Sequence, residues 1–236
     1  MVYKDYCGRK DKTLKTNFLT DYHGDSMVIL LFVGVQASGK GTQAQIVSKK
    51  LGIAHISTGD LLRGTQGELK QEVDSYMSGG KLIPDELMIK ILKERIHHED
   101  CKGGFILDGF PRNMEQAKEL DKFVKVDNVF NIEISDDEAK RRLRGRWNCK
   151  KCAIAYNYVT APRPKTEGIC DQCGGVLTQR ADDIDEDAIN ERLDIYHEET
   201  IPIVKFFNTV RINGQQDIEK VTEDIMKAVR FLMMFK

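Results

Sequence analysis

One stretch near the start of the chain, residues 28–42 (VILLFVGVQASGKGT), has the residue types needed to bind phosphate. An apolar run ends at Gly34, and the spacing Gly34-x-x-x-x-Gly39-Lys40 follows the Walker A pattern. Glycines let several backbone N–H groups turn toward phosphate oxygens, and a helix that begins at the loop adds its positive dipole end. Lys40 would add a mobile full charge near the outer phosphates. The stretch therefore predicts a phosphate-binding loop between a buried strand and a helix.

The position after the lysine departs from the common pattern. Gly41 stands where Ser or Thr usually binds Mg²⁺, and the hydroxyl comes one place later, at Thr42.

A second stretch, GGFILDGFPR at 103–112, reads as a short buried strand that ends at Asp108, followed by a turn that presents Arg112. A strand-terminal aspartate in a protein with such a loop can act on Mg²⁺ through the water shell of the ion.

Arginines form a third group with chemical potential. A Ser-x-x-Glu capping box at Ser135 predicts the start of a helix. That helix carries Arg141, Arg142 and Arg144, and Arg146 lies just past its end. These side chains either form a solvated basic face or gather on a polyphosphate, to which planar guanidinium groups bind well.

Residues 147–183 form an insert of different composition. Four of the six cysteines of the chain lie there as two CxxC pairs, Cys149 with Cys152 and Cys170 with Cys173. This spacing predicts a closed, structural Cys₄ zinc site, because each pair brings two thiolates together on a tight turn. Two disulfides, or four reduced thiols, are the alternative. The insert has few apolar residues, so we expect its fold to depend on the metal.

Composition excludes several classes of protein. The formal net charge is −1, so bulk electrostatics give no argument for binding nucleic acid or membrane. No apolar run approaches the roughly 18 residues that a membrane span requires. The N-terminal residues 1–26 are polar and lack the apolar segment of a signal peptide, so we expect a cytoplasmic protein. We interpret 1–26 as a tail that adds little to the core, with Met27 as a possible alternative start.

Strands and helices are predicted to alternate along the chain. The predicted strands lie at about 28–33, 53–57, 104–108, 128–134 and 209–213. A helix is predicted to be capped by Asp183-x-x-Glu186 and to run through Tyr196. The alternation predicts an α/β fold of the P-loop NTPase type, a five-stranded parallel sheet with helices on both faces.

The whole set of motifs resembles the adenylate kinases, in the form with a long, zinc-bearing lid. The resemblance covers about residue 27 to the end. The matching segments are GVQASGKGTQAQ (34–45), ISTGDLLR (56–63), GGKLIPDEL (79–87), GFILDGFPRNMEQA (104–117), RLRGRW (142–147), TQRADD (178–183), ERLDIYHEET (191–200) and the four cysteines. DGFPR together with STGDLLR is specific to nucleoside monophosphate kinases. The long Cys₄ insert narrows the resemblance to the long-lid adenylate kinases. It implies a core at 27–236 with two inserts, an AMP-binding helical flap at 57–84 and a zinc lid at 147–183.

The resemblance implies reversible phosphoryl transfer from Mg²⁺-bound ATP to AMP, giving two ADP, in a monomer whose lid closes over both nucleotides. The implied ATP contacts are Gly34, Ala37, Ser38, Gly39, Lys40, Gly41, Thr42, Arg142, Arg146, Ala155, Tyr156 and Gln216. The implied AMP contacts are Thr58, Arg63, Lys81, Leu82, Ile83, Gly109, Phe110, Pro111, Arg112, Gln116, Arg180 and Arg192. The implied catalytic residues are Lys40, Asp108, Arg112, Arg146, Arg180 and Arg192. Three of the implied site residues have specific roles. Arg112 would clamp the AMP phosphate, Gln116 would read the adenine edge, and Asp108 would orient Mg²⁺ through water.

The sequence departs from the family pattern at three places. Ala37 replaces the second glycine of the usual GxxGxGKGT, and Asn113 replaces the usual Thr after DGFPR. The span from Arg63 to Lys81 is slightly shorter than the common form, which puts the helix contacts of the AMP-side flap in doubt.

Three other functions are compatible with parts of the pattern. A kinase for another nucleoside monophosphate, or one with GTP as donor, is the nearest alternative. Thr58, Gln116 and the long lid favour AMP as acceptor, whereas the choice of donor is barely encoded in the sequence. A zinc-ribbon nucleic-acid-binding module fused to an NTPase is opposed by the neutral charge. A regulatory switch that binds nucleotide with little turnover is opposed by the number of arginines.

Overall fold

The computed structural model describes residues 27–78 and 83–234. The tail predicted at 1–26 lies outside these residues, as do positions 79–82 and 235–236.

A five-stranded parallel sheet forms the centre of the protein, in the order β2-β3-β1-β4-β8. Its strands are β1 (Val28–Val33), β2 (Ala54–Ser57), β3 (Gly104–Asp108), β4 (Asn128–Glu133) and β8 (Thr209–Asn213). The predicted five-stranded parallel sheet is confirmed, with two strand ends displaced by one residue. The phosphate loop follows β1, the middle strand, and the chain after β3 leaves the sheet at the same edge.

The apolar run of β1 is buried on both sides because helices cover both faces of the sheet. Ile29, Leu31 and Val33 pack into one apolar cluster, whereas the alternate residues, such as Leu30 and Phe32, pack into another. The first cluster takes side chains from α2 (Thr58–Gly64), α3 (Glu68–Ser78), α4 (Asp85–Ile96) and α5 (Met114–Asp121). The second takes side chains from α1 (Lys40–Leu51) and α9 (Ile218–Met233). Two-sided burial explains why the run is continuously apolar rather than alternating.

Three helices of the described residues remain. They are α6 (Asp136–Arg144), α7 (Glu186–Ile195) and α8 (Ile201–Phe206), with short 3₁₀ turns at Glu99–Cys101 and Ala181–Asp183 and a π-helical turn at Tyr196–Thr200. The capping box at Ser135 is confirmed, because its side chain accepts a hydrogen bond from the Glu138 backbone N–H at 3.3 Å. The prediction that Asp183 caps the next helix is wrong. Asp185 is the cap and accepts from the Ala188 N–H at 3.0 Å, because the chain makes a 3₁₀ turn before α7 begins.

The insert folds as a small antiparallel sheet. Its strands are β5 (Arg146–Cys149), β6 (Ala155–Asn157) and β7 (Leu177–Thr178), in the order β6-β5-β7. Tyr156 and Leu177 join the cysteines in a compact apolar cluster that is separate from the main core. Within 27–78 and 83–234, no helix is both long and apolar enough to cross a membrane.

Replacing Leu120 by alanine should destabilise the protein. This side chain of α5 is 0 % exposed in the first apolar cluster. Losing its buried methyl groups and leaving a cavity should lower the free energy of unfolding by about 2–5 kcal/mol. Urea denaturation measures the loss. Val176→Ala is the control, since this side chain is 63 % exposed and should change stability by less than about 0.5 kcal/mol. An equal effect of both substitutions would contradict the placement of Leu120 in the core.

Candidate active site

The phosphate loop is tightly packed around its first glycine. A side-chain Cβ at Gly34 would lie 2.6 Å from the Ile132 carbonyl oxygen and 2.7 Å from Ser38 Oγ, so no larger residue fits there. Lys40 is the first residue of α1, and its Nζ donates to the Val35 carbonyl at 3.3 Å. The lysine therefore folds back over the loop, where it can meet the charge of a bound anion.

Ala37 has a backbone conformation that usually belongs to glycine. Its φ is 60°, in the left-handed region, which costs an alanine roughly 1–2 kcal/mol. The methyl group packs against a buried cluster that contains Leu143 and Leu193. Packing thus offsets part of the strain, and the family departure at this position leaves the loop intact.

Asp108 occupies the end of β3 and faces the start of α1. Its Oδ2 would lie 3.0 Å from a Cβ at Gly41, so the glycine after the lysine lets the carboxylate approach the helix. On its other side, the Nε2 atom of His55 is 3.3 Å from the same oxygen. Sequence reasoning missed His55; the parallel pairing of β2 with β3 is the only signal that places it there.

Positive charges converge on Lys40. Burial is the largest cause that lowers the pKa of Lys40, to about 8, and the charges of Arg146, Arg112 and Arg192 add to it. Asp108 acts in the opposite direction. These groups interact only because the fold has brought them to one edge of the sheet. A polyphosphate at this edge would favour the charged form of the lysine.

A second anion-facing turn follows β3. Thr58 Oγ1 donates to the Asp108 carbonyl at 3.1 Å, and Arg112 Nε donates to the Gly109 carbonyl at 3.0 Å. Gly109 has a φ of 79°, and a Cβ there would lie 3.1 Å from Thr58 Oγ1. The turn is therefore compact. Burial lowers the pKa of the Arg112 guanidinium, and the nearby charge of Asp108 acts in the opposite direction.

The main chain of Arg112 is held from both directions. Its N–H donates to Gln116 Oε1 at 2.8 Å, and its carbonyl accepts from Thr200 Oγ1 at 2.9 Å. Thr200 ends the π-helical turn Tyr196–Thr200, and π turns are rare and concentrate at functional sites. Sequence reasoning missed Thr200 because a π turn has no reliable local signal.

Asp183 is buried and holds two of the predicted arginines. Its carboxylate accepts from Arg146 Nε at 2.8 Å and Nη2 at 2.5 Å, and from Arg192 Nη1 at 3.0 Å. Burial by itself would raise the pKa of Asp183, but the hydrogen bonds and charges of these two arginines outweigh it and hold the pKa below the ordinary value of 3.8. The carboxylate thus fixes both guanidinium groups beside the phosphate loop.

The other arginines divide between the site and the surface. Arg142 donates to the Gly214 carbonyl at 2.9 Å and to the Ser38 carbonyl at 3.4 Å, so it bridges the phosphate loop and the turn after β8. Arg141 and Arg144 are half exposed or more, and they make ion pairs with Glu138 and Glu186. Arg142 also pairs with Glu138, but its side chain is only 13 % exposed. The basic helix is therefore partly a solvated face and partly a wall of the site.

Arg180 and Gln216 both lie at the margin of the site and have protein partners. Arg180 pairs with Asp182 through two hydrogen bonds of 3.0 and 2.8 Å. Gln216 Nε2 donates to the Asn213 carbonyl and to Asp224, each at 3.0 Å. Their nucleotide contacts stay predictions.

Two lid positions predicted to touch ATP differ in exposure. Ala155 is exposed at the start of β6. Tyr156 is buried in the lid cluster, where its hydroxyl lies 3.5 Å from Cys170 Sγ and accepts from the Asp171 N–H at 2.9 Å. The tyrosine ring thus belongs to the interior of the lid, and its contact with ATP stays a prediction.

The four cysteines of the insert come together as predicted. Their sulfur atoms all lie within 4.8 Å of one another, and none is in a disulfide. Individual Sγ–Sγ distances are 3.4 Å for Cys149 with Cys173, 3.5 Å for Cys152 with Cys170 and 3.3 Å for Cys152 with Cys173. A tetrahedral site with metal–sulfur bonds of about 2.3 Å needs sulfur atoms about 3.8 Å apart. The cluster therefore has the composition and nearly the size of a metal site.

Several residues predicted to contact AMP lie in or next to the part of the chain that the structure does not describe. Lys81 and Leu82 are in that part, and the side chain of Arg63 is not described. Ile83 and Phe110 pack against the first apolar cluster, and Pro111 is buried beside them.

The fold and the site together define an α/β P-loop protein built like the nucleoside monophosphate kinases. A phosphate loop follows the central strand, an aspartate ends the neighbouring strand, and arginines surround both. The sequence profile of the adenylate kinases matches residues 32–212. The chain therefore belongs to the adenylate kinase family of enzymes.

Curated relatives agree over nearly their whole length. An adenylate kinase of Caldicellulosiruptor saccharolyticus is 43 % identical over 212 residues, which span 85 % of this chain and 98 % of that protein. One of Methanocella arvoryzae is 43 % identical over 220 residues, 87 % of this chain and 100 % of the relative. One of Bacillus subtilis is 42 % identical over 208 residues, 83 % of this chain and 95 % of the relative.

Replacing Asp183 by asparagine should destabilise the protein at neutral pH. The substitution removes the charge that two arginines share, so we expect the free energy of unfolding at pH 7 to fall by about 1–3 kcal/mol. Because the pKa of Asp183 is lower in the folded than in the unfolded protein, the advantage of the wild type is complete above about pH 5. It decreases as the pH falls below 3.8 and through the lower folded-state pKa.

Urea denaturation at pH 7 and at pH 3–4 measures this difference. Asp194→Asn, an exposed change on the following helix α7, should leave stability nearly unchanged at both pH values. A wild-type advantage over Asp183→Asn that stays constant down to low pH would contradict the ionised pairing.

Proposed function

We propose that this protein catalyses reversible phosphoryl transfer from Mg²⁺-bound ATP to AMP, giving two ADP. One observation carries the proposal: the charge of Asp108 acts on both Lys40 in the phosphate loop and Arg112 in the turn after β3, so the two cations share one electrostatic environment. A site with one phosphate-binding element would suit a nucleotide switch or a hydrolase. Two such elements beside one carboxylate suit transfer between two phosphates, and the family membership supports this reaction.

The donor nucleotide would lie along the phosphate loop. The backbone of residues 34–42 would bind the ATP phosphates, and the Lys40 ammonium would stabilise the phosphoryl group during its transfer. Arg142 would lie beside the donor base, because it joins the loop to the turn that contains Gln216. ATP rather than GTP as donor is part of this proposal.

The acceptor would lie between the turn after β3 and the helical flap. Arg112 would bind the AMP phosphate in a bidentate manner, while Thr58 and Gln116 would face the nucleoside. Arg180 and Arg192 would close over the phosphates from the lid side. Arg63, Lys81 and Leu82 complete the acceptor site in this proposal.

Mg²⁺ fits the donor side of the site. Carboxylate oxygens and phosphates are the ligands that this hard cation takes, and Asp108 has a carboxylate next to the first turn of α1. Asp108 would hold the ion through water, with Thr42 close by. When bound, the ion would neutralise part of the phosphate charge.

The residues of this chain would act by position and charge. A phosphate oxygen of AMP would attack the γ-phosphorus in line with the departing oxygen of ADP, and no covalent intermediate with the protein is needed. Lys40, Arg146 and Arg192 would neutralise the charge that spreads over the transferred group. Water has to be excluded during this step, because ATP would otherwise be hydrolysed, and closure of the lid would exclude it.

The cysteine cluster would hold one structural Zn²⁺. Four thiol ligands in reach of one another suit zinc, and they leave no open position for catalysis. The metal would make the lid a rigid flap between its two hinges. A monomeric state and a cytoplasmic location complete the proposal, and the family resemblance is what supports both.

Turnover with different nucleotides tests the reaction itself. With ATP and Mg²⁺ as donor, AMP should be phosphorylated far faster than UMP, CMP or GMP. A coupled assay for ADP measures this. Efficient use of UMP or CMP without AMP, or of GTP in place of ATP, would overturn the proposed substrates.

Lys40→Met should lower kcat by about 10²–10³-fold, because it removes a charge that acts on the transferred phosphoryl group. Lys49→Met is the matched control, since Lys49 is an exposed lysine on the same helix. Melting curves should be similar for both variants. Full activity of Lys40→Met would make the mechanism wrong.

Metal analysis tests whether the four cysteines of the lid bind Zn²⁺. We expect about one Zn²⁺ per chain and a lower melting temperature after chelation, because the insert has little apolar core of its own. Cys152→Ser should lose the metal, whereas Cys101→Ser, a change at the buried cysteine outside the cluster, should keep it. A metal-free protein with two disulfides in the lid would contradict the proposal.

A further inference from the structure

The side-chain amide of Gln116 is held at both of its ends. Its Nε2 donates to Asp85 Oδ1 at 2.5 Å, and its Oε1 accepts from the Arg112 backbone N–H at 2.8 Å. The residue is 6 % exposed, so water does not replace these bonds readily. Asp85 is the first residue of α4 and lies 31 positions from Gln116 in the chain.

Asp85 is itself fixed by a neighbouring amide. Asn113 Nδ2 donates to Asp85 Oδ2 at 2.9 Å, while Asn113 Oδ1 caps α5 by accepting from the Gln116 N–H at 2.8 Å. The cap determines which end of Asn113 is the oxygen, and the NH₂ group is left for the carboxylate. An asparagine at this position therefore has a structural role that needs both a donor and an acceptor.

These contacts allow only one orientation of the Gln116 amide. An ionised carboxylate only accepts hydrogen bonds, and a backbone N–H only donates. Rotating the amide by half a turn would set its oxygen against the Asp85 carboxylate and its NH₂ against the Arg112 N–H. Two hydrogen bonds would be lost and two repulsive contacts formed, which is costly at a buried site.

The fixed orientation selects one hydrogen-bonding pattern on a base. Among the described residues, the bonds to Gln116 leave one N–H of Nε2 and one lone pair of Oε1 unused. An adenine edge presents an acceptor at N1 and a donor at the 6-amino group, which match these two positions. A 6-oxopurine presents the reverse, a donor at N1 and an acceptor at O6, and would need the rotated amide.

We infer that Asp85 is a positioning residue that makes the acceptor site select 6-aminopurine over 6-oxopurine nucleotides, by fixing the orientation of the Gln116 amide. The inference rests on the proposed function, in which Gln116 faces the acceptor base. It goes beyond that proposal because it assigns the selectivity to a carboxylate that does not touch the nucleotide.

AMP and IMP provide the sharpest comparison, because they differ only at the 6-position and its neighbouring N1. The measurement is kcat/KM for each as acceptor, with saturating ATP and Mg²⁺. Asp85→Asn keeps the shape but can offer either an oxygen or an NH₂ group to Gln116. Asp85→Ser, a second variant, offers a hydroxyl that both donates and accepts, and serine is well tolerated near a helix start.

In both variants the preference for AMP over IMP should fall by about tenfold, mainly through faster use of IMP. Asp121→Asn, the same change at an exposed position at the end of α5, should keep the wild-type preference. A purely structural role of Asp85 would lower the rates with AMP and IMP in parallel and leave their ratio unchanged.

A folded Asp85 variant with the wild-type ratio, or with a parallel loss for both nucleotides, would overturn the inference. So would a wild-type protein that uses AMP and IMP equally well. A wild-type protein that phosphorylates neither would instead contradict the proposed function.

Discussion

Repulsion between positive charges at one edge of the sheet is the constraint on which the rest of this structure depends. Burial lowers the pKa of Lys40 most, and Arg146, Arg112 and Arg192 lie close enough for the charge of each to lower it further. Such a group of cations is unfavourable without an anion. Asp108 opposes the repulsion from the end of β3 and lies close to the helix because residue 41 is a glycine. Asp108 therefore offsets only part of the repulsion, and the surplus of positive charge can attract phosphate.

The second part of this balance is an ion-pair network around the buried Asp183. Asp183 binds Arg146 and Arg192, and Asp182 binds Arg180, so these arginines all have carboxylate partners. Carboxylate and phosphate accept bidentate hydrogen bonds from arginine in similar geometry. In the proposed reaction, the arginines would therefore share or exchange their carboxylates for phosphate without large rearrangement of their side chains. The pairs also keep the guanidinium groups near the place where transferred charge would develop.

Much of the fold followed from local patterns in the chain. The buried run and loop of residues 28–42, the Ser135 cap and the Cys₄ spacing each depend on neighbours within a few residues or on a tight turn, so the sequence predicted them. The role of Asp183 was mispredicted, because Asp183 matches the Asp-x-x-Glu capping pattern, whereas the actual cap, Asp185, is followed three places later by Ala188. A 3₁₀ turn shifts the helix start and sends Asp183 inward, and only packing against Arg146 decides this.

By itself, the sequence determined the five strands of the central sheet, where a phosphate loop lies and which cysteines form the cluster, because these features are encoded in residue type and short spacing. The tertiary structure decided which polar groups face one another. His55 meets Asp108 through strand pairing, Thr200 reaches Arg112 through a π turn, and Asp85 fixes Gln116 across two helices. Each pair joins residues 31–88 positions apart, where spacing along the chain carries no information about distance. Only the packing of the elements brings such donors and acceptors within hydrogen-bonding reach.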